Sequence, residues 1–287
     1  MKLVFIHGRA QAGKDPIMLR AQWEDALKQG LQAAQLAWPQ GLTIEFPFYG
    51  DALDELIKNL NTPLMTEVMT RGAPIDSGEL AFRGELLYEM ATQSGISDAE
   101  IQAYYAGEPK ERGPLNWEWV QSILKALDKT PLGEPAIDLF TRDVYVYLTY
   151  RVVRKAIDEI VAEQLKTGPC IVVGHSLGSV VGYNVLSKLP ATMDVRLYVT
   201  LGSPLGIEVI KRRLDKPLAM PSCVKQWYNA MDERDVVALY PLTAEHFSIE
   251  PRIENKINVD NFTDNRHGIA GYLSDPDVAR KIHEALI

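Results

Sequence analysis

The chain has 287 residues, of which 46% are apolar and 24% are charged, the composition of an ordinary globular protein with a sizeable core. Its formal net charge of −8 at pH 7 disfavours binding to nucleic-acid phosphates and anionic lipid headgroups, so we expect no nucleic-acid partner. No stretch approaches the roughly 18 apolar residues of a membrane-spanning helix, so no transmembrane segment is predicted.

The chain begins with a predicted strand and helix. Leu3 to His7 is a short apolar run, predicted to be a buried strand and too short for a signal-peptide core, so we expect a cytoplasmic protein. Asp15 and Pro16 suit a helix N-cap and a first helical position. A second strand is predicted over Thr43 to Phe48. Apolar residues of the helix recur every four positions: Leu19, Trp23, Leu27 and Leu31.

Residues 51–140 are predicted to form a helical insertion, because amphipathic segments punctuated by Pro and Gly replace the strand pattern there. Ser97 and Glu100 have the spacing of a capping box. Aromatic side chains of this insertion could face a substrate pocket or form the insertion's own core. They are Phe82, Tyr88, Tyr104, Tyr105, Trp117 and Trp119.

Strands and helices alternate again in the second half of the chain. Short Val- and Ile-rich strands separated by helices are typical of a mostly parallel sheet covered by helices. The predicted fold class is therefore α/β with a doubly wound sheet, in one domain spanning residues 1–287. The further predicted elements are helices over 143–166, over 177–188 and from Pro276 onward, and strands over 170–173, 195–201, 224–230 and near 257–259.

The run Gly174-His175-Ser176-Leu177-Gly178 fits the G-x-S-x-G pattern of a nucleophile elbow. An elbow needs a buried strand directly before the serine and a helix directly after it, and both are predicted here. Glycines flank the serine because the sharp turn leaves no room for larger side chains. Ser176 is the predicted nucleophile. The alternative is a glycine-rich turn whose serine only caps the next helix.

With this elbow the chain resembles the α/β-hydrolase superfamily, in particular its esterase- and lipase-like members, over most of its length apart from residues 51–140. The family's HG motif after an early strand corresponds to His7-Gly8. The resemblance implies an oxyanion hole formed by the backbone N–H groups of Arg9 and Leu177. It also implies that the family's N-terminal hairpin is missing here and that the insertion forms a lid.

A serine hydroxyl needs a base to take its proton, and this superfamily supplies the residues in the order Ser, Asp or Glu, His. His7 and His175 belong to the two motifs, and His283 lies within the last predicted helix. His267 lies between the last predicted strand and that helix, a placement that resembles the family's histidine loop. We predict His267 as the general base, with His246 as the alternative.

The loop after the strand at 224–230 contains two candidate acids, Asp232 and Asp235. Asp235 precedes a small apolar run, Val236-Val237, as the acid typically does in related hydrolases, so we predict Asp235. Asp232 could instead cap the turn or pair with Arg234.

Two other functions are weighed against the hydrolase. Residues Gly8 to Lys14 come within one residue of a phosphate-binding P-loop, but Asp15 stands where a magnesium-binding hydroxyl is needed and Pro16 removes a helix N–H donor. A hydrolase fold kept only as an inactive binding module is the other alternative.

The favoured function is hydrolysis of a small-molecule carboxylic ester, with a lipid-like or aromatic acyl group, through a Ser176-Asp235-His267 triad. Thioester cleavage, amide cleavage and acyl transfer stay open. We expect no cofactor, and no metal site, because the histidines lack metal-binding spacing. Cys170 and Cys223 are expected to be buried thiols without a disulfide.

Overall fold

A six-stranded β-sheet forms the centre of the computed structural model, which describes residues 1–60, 62–65, 67, 75–108, 112–166 and 168–287. The strands are β1 (Lys2–Ile6), β2 (Thr43–Glu45), β3 (Cys170–His175), β4 (Val195–Leu201), β5 (Trp227–Ala230) and β6 (Glu254–Lys256). They lie in the order β2-β1-β3-β4-β5-β6, and every adjacent pair is parallel. The predicted α/β class and parallel sheet are thus confirmed.

Helices cover both faces of this sheet, because alternate residues of each central strand point to opposite sides. Leu3 and Phe5 of β1 pack on one face, and Val4 and Ile6 on the other. The helices of the described residues are α1 (Pro16–Ala33), α2 (Gly50–Leu60), α3 (Ser77–Gln93), α4 (Asp98–Gln102), α5 (Trp117–Leu127), α6 (Glu134–Thr149), α7 (Arg151–Leu165), α8 (Leu177–Leu186), α9 (Glu208–Lys211), α10 (Ile269–Leu273) and α11 (Pro276–Leu286).

Local helix signals were predicted well. The Asp15 side chain accepts a hydrogen bond from the N–H of Ile17 at the start of α1, and Pro16 is the first helical residue. Ser97 and Glu100 form the predicted capping box of α4. These signals depend on neighbours within one turn, so the sequence alone contains them.

Several boundaries were predicted wrongly. The last strand is Glu254–Lys256 and not 257–259, because the apolar side chain of Ile257 is 45% exposed and only Val259 packs in the core. The helix over 143–166 is interrupted at Tyr150, whose backbone is extended. Strand β2 ends before Pro47, which cannot donate a backbone hydrogen bond to a sheet.

The predicted insertion is helical where the structure describes it; residues 61, 66, 68–74 and 109–111 lie outside the described part. Trp119 packs edge-on against Tyr105 with ring centroids 5.4 Å apart, and both are buried. Tyr88 and Tyr104 are exposed. These aromatic residues thus contribute to the insertion's own core or to its surface.

A buried ion-pair network joins α3 to α6. Helix α6 begins inside the predicted insertion and continues past its end at residue 140. The Arg83 guanidinium is completely buried, lies 2.8 Å from a Glu79 carboxylate oxygen and also contacts Asp138. Removing one partner of such a network leaves a buried charge uncompensated. The insertion is therefore fixed to the helices that cover the sheet.

The strand order changes direction between β1 and β3. After β1 the chain adds β2 on one side, and it later returns to add β3 on the other side. In open parallel sheets, ligands bind at the carboxyl ends of the strands where the order reverses. His7 and Gly8 follow β1, and Ser176 follows β3, so the two motifs meet at this point.

Gly178 is required where α8 crosses β1. A Cβ atom there would lie 2.2 Å from the carbonyl oxygen of Ile6 and 2.4 Å from that of His7. We expect Gly178→Ala to lower the free energy of unfolding by about 2 kcal/mol or more, because backbone atoms on both sides must move. Chemical denaturation measures this change. Gly113→Ala is the control, since nothing lies within 4 Å of its added Cβ, and equal losses in both variants would contradict this account.

Candidate active site

Ser176 occupies a sharp turn between β3 and α8. Its φ of 54° and ψ of −128° lie in a region that residues other than glycine rarely adopt. A Cβ atom at Gly174 would lie 2.8 Å from the carbonyl oxygen of Gly178, so these flanking positions leave no space for side chains. The turn has the geometry that a nucleophile elbow requires.

Hydrogen bonds hold this strained turn from both sides. The N–H of Ser176 donates to the carbonyl of Leu201 on β4 at 3.0 Å. The carbonyl of Ser176 accepts from the N–H of Ser179 at 2.9 Å and from its hydroxyl at 2.6 Å. The Ser179 hydroxyl also lies 2.7 Å from that of Ser203. Strained backbones persist only where the surrounding structure fixes them, as these contacts do here.

The HG motif lies directly beside Ser176. A Cβ atom at Gly8 would lie 3.0 Å from the Ser176 Cβ and 3.5 Å from its Oγ. His7 Nε2 accepts the N–H of Tyr49 at 3.1 Å, so Nδ1 carries the hydrogen and donates to the Gly8 carbonyl at 2.6 Å. Because C=O and N–H point in opposite directions across a trans peptide, this bond turns the N–H of Arg9 away from His7.

The guanidinium of Arg9 is occupied elsewhere. Its Nε donates to the Asp143 carboxylate and its Nη1 to the Ala136 carbonyl, each at 3.2 Å. These bonds fix the loop after β1 to α6, which leaves the backbone N–H as the group that Arg9 offers to the site. Leu177 is the first residue of α8, and its N–H has no carbonyl one turn earlier to bind.

His267 and Asp235 form a short hydrogen bond. Nδ1 of His267 lies 2.7 Å from Oδ2 of Asp235, whose side chain is completely buried. A neutral ring that donates from Nδ1 keeps its lone pair on Nε2, as a general base needs. A Cβ atom at Gly202, just after β4, would lie 3.1 Å from both His267 Nδ1 and Asp235 Oδ2. The backbone at Gly202 therefore lies close to this hydrogen bond.

The Asp235 carboxylate accepts several hydrogen bonds. Oδ1 accepts from the N–H of Val237 at 2.9 Å, and Oδ2 also accepts from the Tyr272 hydroxyl at 2.6 Å. Burial by itself would raise the pKa of this carboxyl. The neighbouring His267 and the donated hydrogen bonds outweigh burial and hold the pKa of Asp235 below its usual range. Asp235 is therefore an anion at neutral pH.

His175, the last residue of β3, joins this strand to the loop that carries His267. Its Nε2–H donates to the backbone carbonyl of His267 at 2.7 Å, and the two rings lie 4.8 Å apart. Burial, with a smaller contribution from His267, lowers the pKa of His175 to about 3. The ring is therefore neutral. Because His175 directly precedes Ser176, its hydrogen bond fixes the backbone of His267 near the turn that carries Ser176.

The Ser176 hydroxyl has no hydrogen-bond partner among the described residues, and the residue is only 2% exposed. The Ser176 hydroxyl and the His267 ring are thus not hydrogen-bonded to each other. A cavity of about 270 Å³ borders Gly8, Arg9 and apolar residues of α2. A second cavity, of about 660 Å³, lies between the insertion and the loop that carries Asp235.

The alternative residues lie in other surroundings. Asp232 accepts the N–H groups of Arg234 at 2.8 Å and Asn261 at 2.9 Å, which is a role in loop structure. His246 stacks on Tyr240 with ring centroids 4.3 Å apart.

Two backbone N–H groups of the P-loop-like segment, those of Gly13 and Lys14, are bound within the protein. The N–H of Gly13 donates to the Asp51 carboxylate at 2.7 Å, and the carboxylate of Asp54 lines the adjoining cavity. Lys14 contacts the side chain of Gln11. Carboxylates at these positions would repel a nucleotide phosphate.

Sequence reasoning missed Tyr272 and Ser179 as parts of this site and assigned His175 no role beyond its motif. A tyrosine in a helix of only five residues carries no pattern of its own. Nothing in the sequence indicates which carboxylate its hydroxyl reaches.

Searches against protein families, curated proteins and solved structures found no match to this chain. Within the described ranges, no helix is long and apolar enough to cross a membrane. The same ranges contain no group of three or more His, Cys, Asp or Glu side chains that could hold a metal ion.

The buried histidines predict how stability depends on pH. Burial lowers the pKa of His7 to about 4 and that of His175 to about 3, from an ordinary value of 6.5. Between pH 6.5 and 4 the unfolded chain therefore binds protons that the folded chain does not. We expect the free energy of unfolding to fall by about 3 kcal/mol between pH 7 and pH 5.

Urea denaturation at several pH values measures this slope. His175→Gln should flatten it, whereas His283→Gln, on the last helix, should leave it unchanged. A stability that stays constant from pH 7 to pH 5 would show that the two rings are protonated in the folded state.

Proposed function

We propose that this protein is a serine hydrolase of carboxylic esters, in which Ser176 is the nucleophile, His267 the general base and Asp235 the acid that orients it. One observation carries the proposal: an unpaired, buried serine hydroxyl on a strained strand-to-helix turn. The residue before this serine, His175, hydrogen-bonds to the backbone of His267, whose ring is hydrogen-bonded to a buried carboxylate. A structural serine gains nothing from a backbone conformation that costs about 1–3 kcal/mol.

In the acylation step, His267 Nε2 takes the proton of the Ser176 hydroxyl as Oγ forms a bond to the ester carbonyl carbon. The electron pair of the C=O bond moves to its oxygen, which becomes an oxyanion. The N–H groups of Arg9 and Leu177 are the proposed donors to this oxyanion, and such donors commonly contribute about 3 kcal/mol each to transition-state stabilisation. Asp235 stabilises the imidazolium that forms.

The tetrahedral intermediate then breaks its bond to the alkoxide oxygen, which takes the proton from His267 and leaves as an alcohol. The acyl group remains on Ser176 as an ester. Water, activated by the same imidazole, attacks this acyl-enzyme, releases the carboxylic acid and restores the serine. Every proton that moves in this cycle passes through His267.

The side chains of the insertion and of the cavity beside Gly8 bear on which acyl group the site would accept. Trp119 and Tyr105 pack on each other and do not support an aromatic pocket. Leu53, Ile57 and Leu139 line one part of the cavity beside Gly8, which favours a short aliphatic acyl chain in that part. Charged side chains, those of Asp54, Arg142 and Asp143, line the rest. A graded series of p-nitrophenyl esters tests this preference.

We expect Ser176 to react with a fluorophosphonate probe, because a base-activated serine beside an oxyanion hole reacts readily while ordinary hydroxyls do not. Mass spectrometry should locate the adduct on the peptide that contains Gly174 to Gly178. Ser176→Ala should abolish labelling. Ser187→Ala, at the other end of the same helix, should label like the natural protein. An adduct on another serine, or none on the folded protein, would favour a binding module instead.

The two aspartates of one loop should differ sharply in kinetics. We expect Asp235→Asn to lower kcat by about 10⁴-fold, because the base loses the carboxylate that fixes its tautomer and stabilises its charge. Asp232→Asn should cost about 1 kcal/mol of stability and leave kcat within a few-fold, since Asp232 holds loop N–H groups. Ester hydrolysis and melting temperatures of both variants check this. An inactive but stably folded Asp232→Asn protein would make Asp232 the acid.

A further inference from the structure

The Tyr272 hydroxyl and the His267 imidazole share one carboxylate oxygen. Both donate to Oδ2 of Asp235, the hydroxyl at 2.6 Å and Nδ1 at 2.7 Å. Tyr272 is completely buried in α10, which starts two residues after His267. Its hydroxyl oxygen in turn accepts the N–H of Asp232 at 3.2 Å, so the O–H is directed at Asp235. The phenol therefore has one acceptor and one donor, both fixed.

We propose that Tyr272 is a positioning residue that tunes the general base: by donating to Asp235 it withdraws negative charge from the oxygen that faces His267. This inference rests on the proposed function for its consequence in catalysis, although the geometry stands without it. A carboxylate oxygen that already receives a strong O–H···O⁻ bond attracts the neighbouring imidazolium less. Removing this bond in Tyr272→Phe should therefore strengthen the attraction of Asp235 for a protonated His267.

Other groups around the pair are either neutral or bound elsewhere. His175, from β3, faces the base loop as a neutral ring because burial lowers its pKa to about 3. Asp232 is bound by Arg234. Arg266, next to His267, contacts Asp260 at 3.0 Å and lies 4.0 Å from Asp232. Among the described residues, Tyr272 is thus the side chain besides His267 that donates a hydrogen bond to Asp235.

The phenol also fixes the position of the acid. Oδ1 of Asp235 is held by the N–H groups of Val237 and Ala238, which belong to its own loop. The bond to Tyr272 ties Oδ2 to α10, the helix that follows His267. The carboxylate is therefore held between two elements, and the imidazole meets it at a fixed angle.

The test compares Tyr272→Phe with Tyr147→Phe. Tyr147 is an almost exact structural match away from the site: its buried hydroxyl donates to Asp158 at 2.7 Å and accepts from Asn184 at 3.1 Å. We expect Tyr272→Phe to raise the midpoint of the acid limb of kcat/KM by about 0.5 to 1 pH unit and to lower kcat about tenfold. Tyr147→Phe should lose similar stability and shift neither quantity.

A second measurement does not depend on turnover. The NMR titration of the His267 ring, assigned with His267→Gln, should show the same upward shift in Tyr272→Phe. Replacing Tyr272 with 3-fluorotyrosine keeps the shape and makes the phenol a stronger donor, so the midpoint should move down. If the protein lacks esterase activity but the ring midpoints move as described, the proposed function fails and the inference holds. Unchanged midpoints in folded Tyr272→Phe and in the fluorotyrosine protein would overturn the inference.

Discussion

The left-handed backbone at Ser176 is the constraint on which the rest of the site depends. It is possible because Gly174 and Gly178, two positions away on each side, carry no side chain. Hydrogen bonds from β4 and Ser179 also hold the peptide units on both sides of Ser176. The same crowding brings α8 against the end of β1, next to Gly8. One local conformation thus sets where the Ser176 hydroxyl, the helix N-terminus and the loop after β1 meet.

Hydrogen bonds to backbone carbonyls transmit this arrangement to the rest of the site. His175 binds the backbone carbonyl of His267, and His7 binds that of Gly8. Each of these two motif histidines thus fixes a backbone peptide group. Both rings are deeply buried and neutral, because a charged ring would lose its hydration there. In this cluster of three histidines, only His267 has a carboxylate partner that can stabilise a proton.

The site is assembled from the carboxyl ends of neighbouring parallel strands. Gly8 follows β1, Ser176 follows β3, Gly202 follows β4, and the loop with Asp235 follows β5. Residues far apart in the chain therefore converge because every strand ends at the same edge of the sheet. The ion-pair network of Arg83 fixes the insertion to α6, and Arg9 binds that same helix. Helix α6 consequently links the insertion to the loop after β1.

The sequence by itself determined the features whose causes are local. Central strands such as β3 need continuous apolar residues, the elbow needs its glycines within two positions of the serine, and Asp15 caps a helix that starts next to it. Only the tertiary structure decided that Asp235 meets His267 while Asp232, three residues earlier, holds its own loop, and that Tyr272 reaches the same carboxylate. Edge strand β6 and the break at Tyr150 also followed from packing. These outcomes depend on contacts between residues distant in the chain, and the periodicity of a single segment contains no record of them.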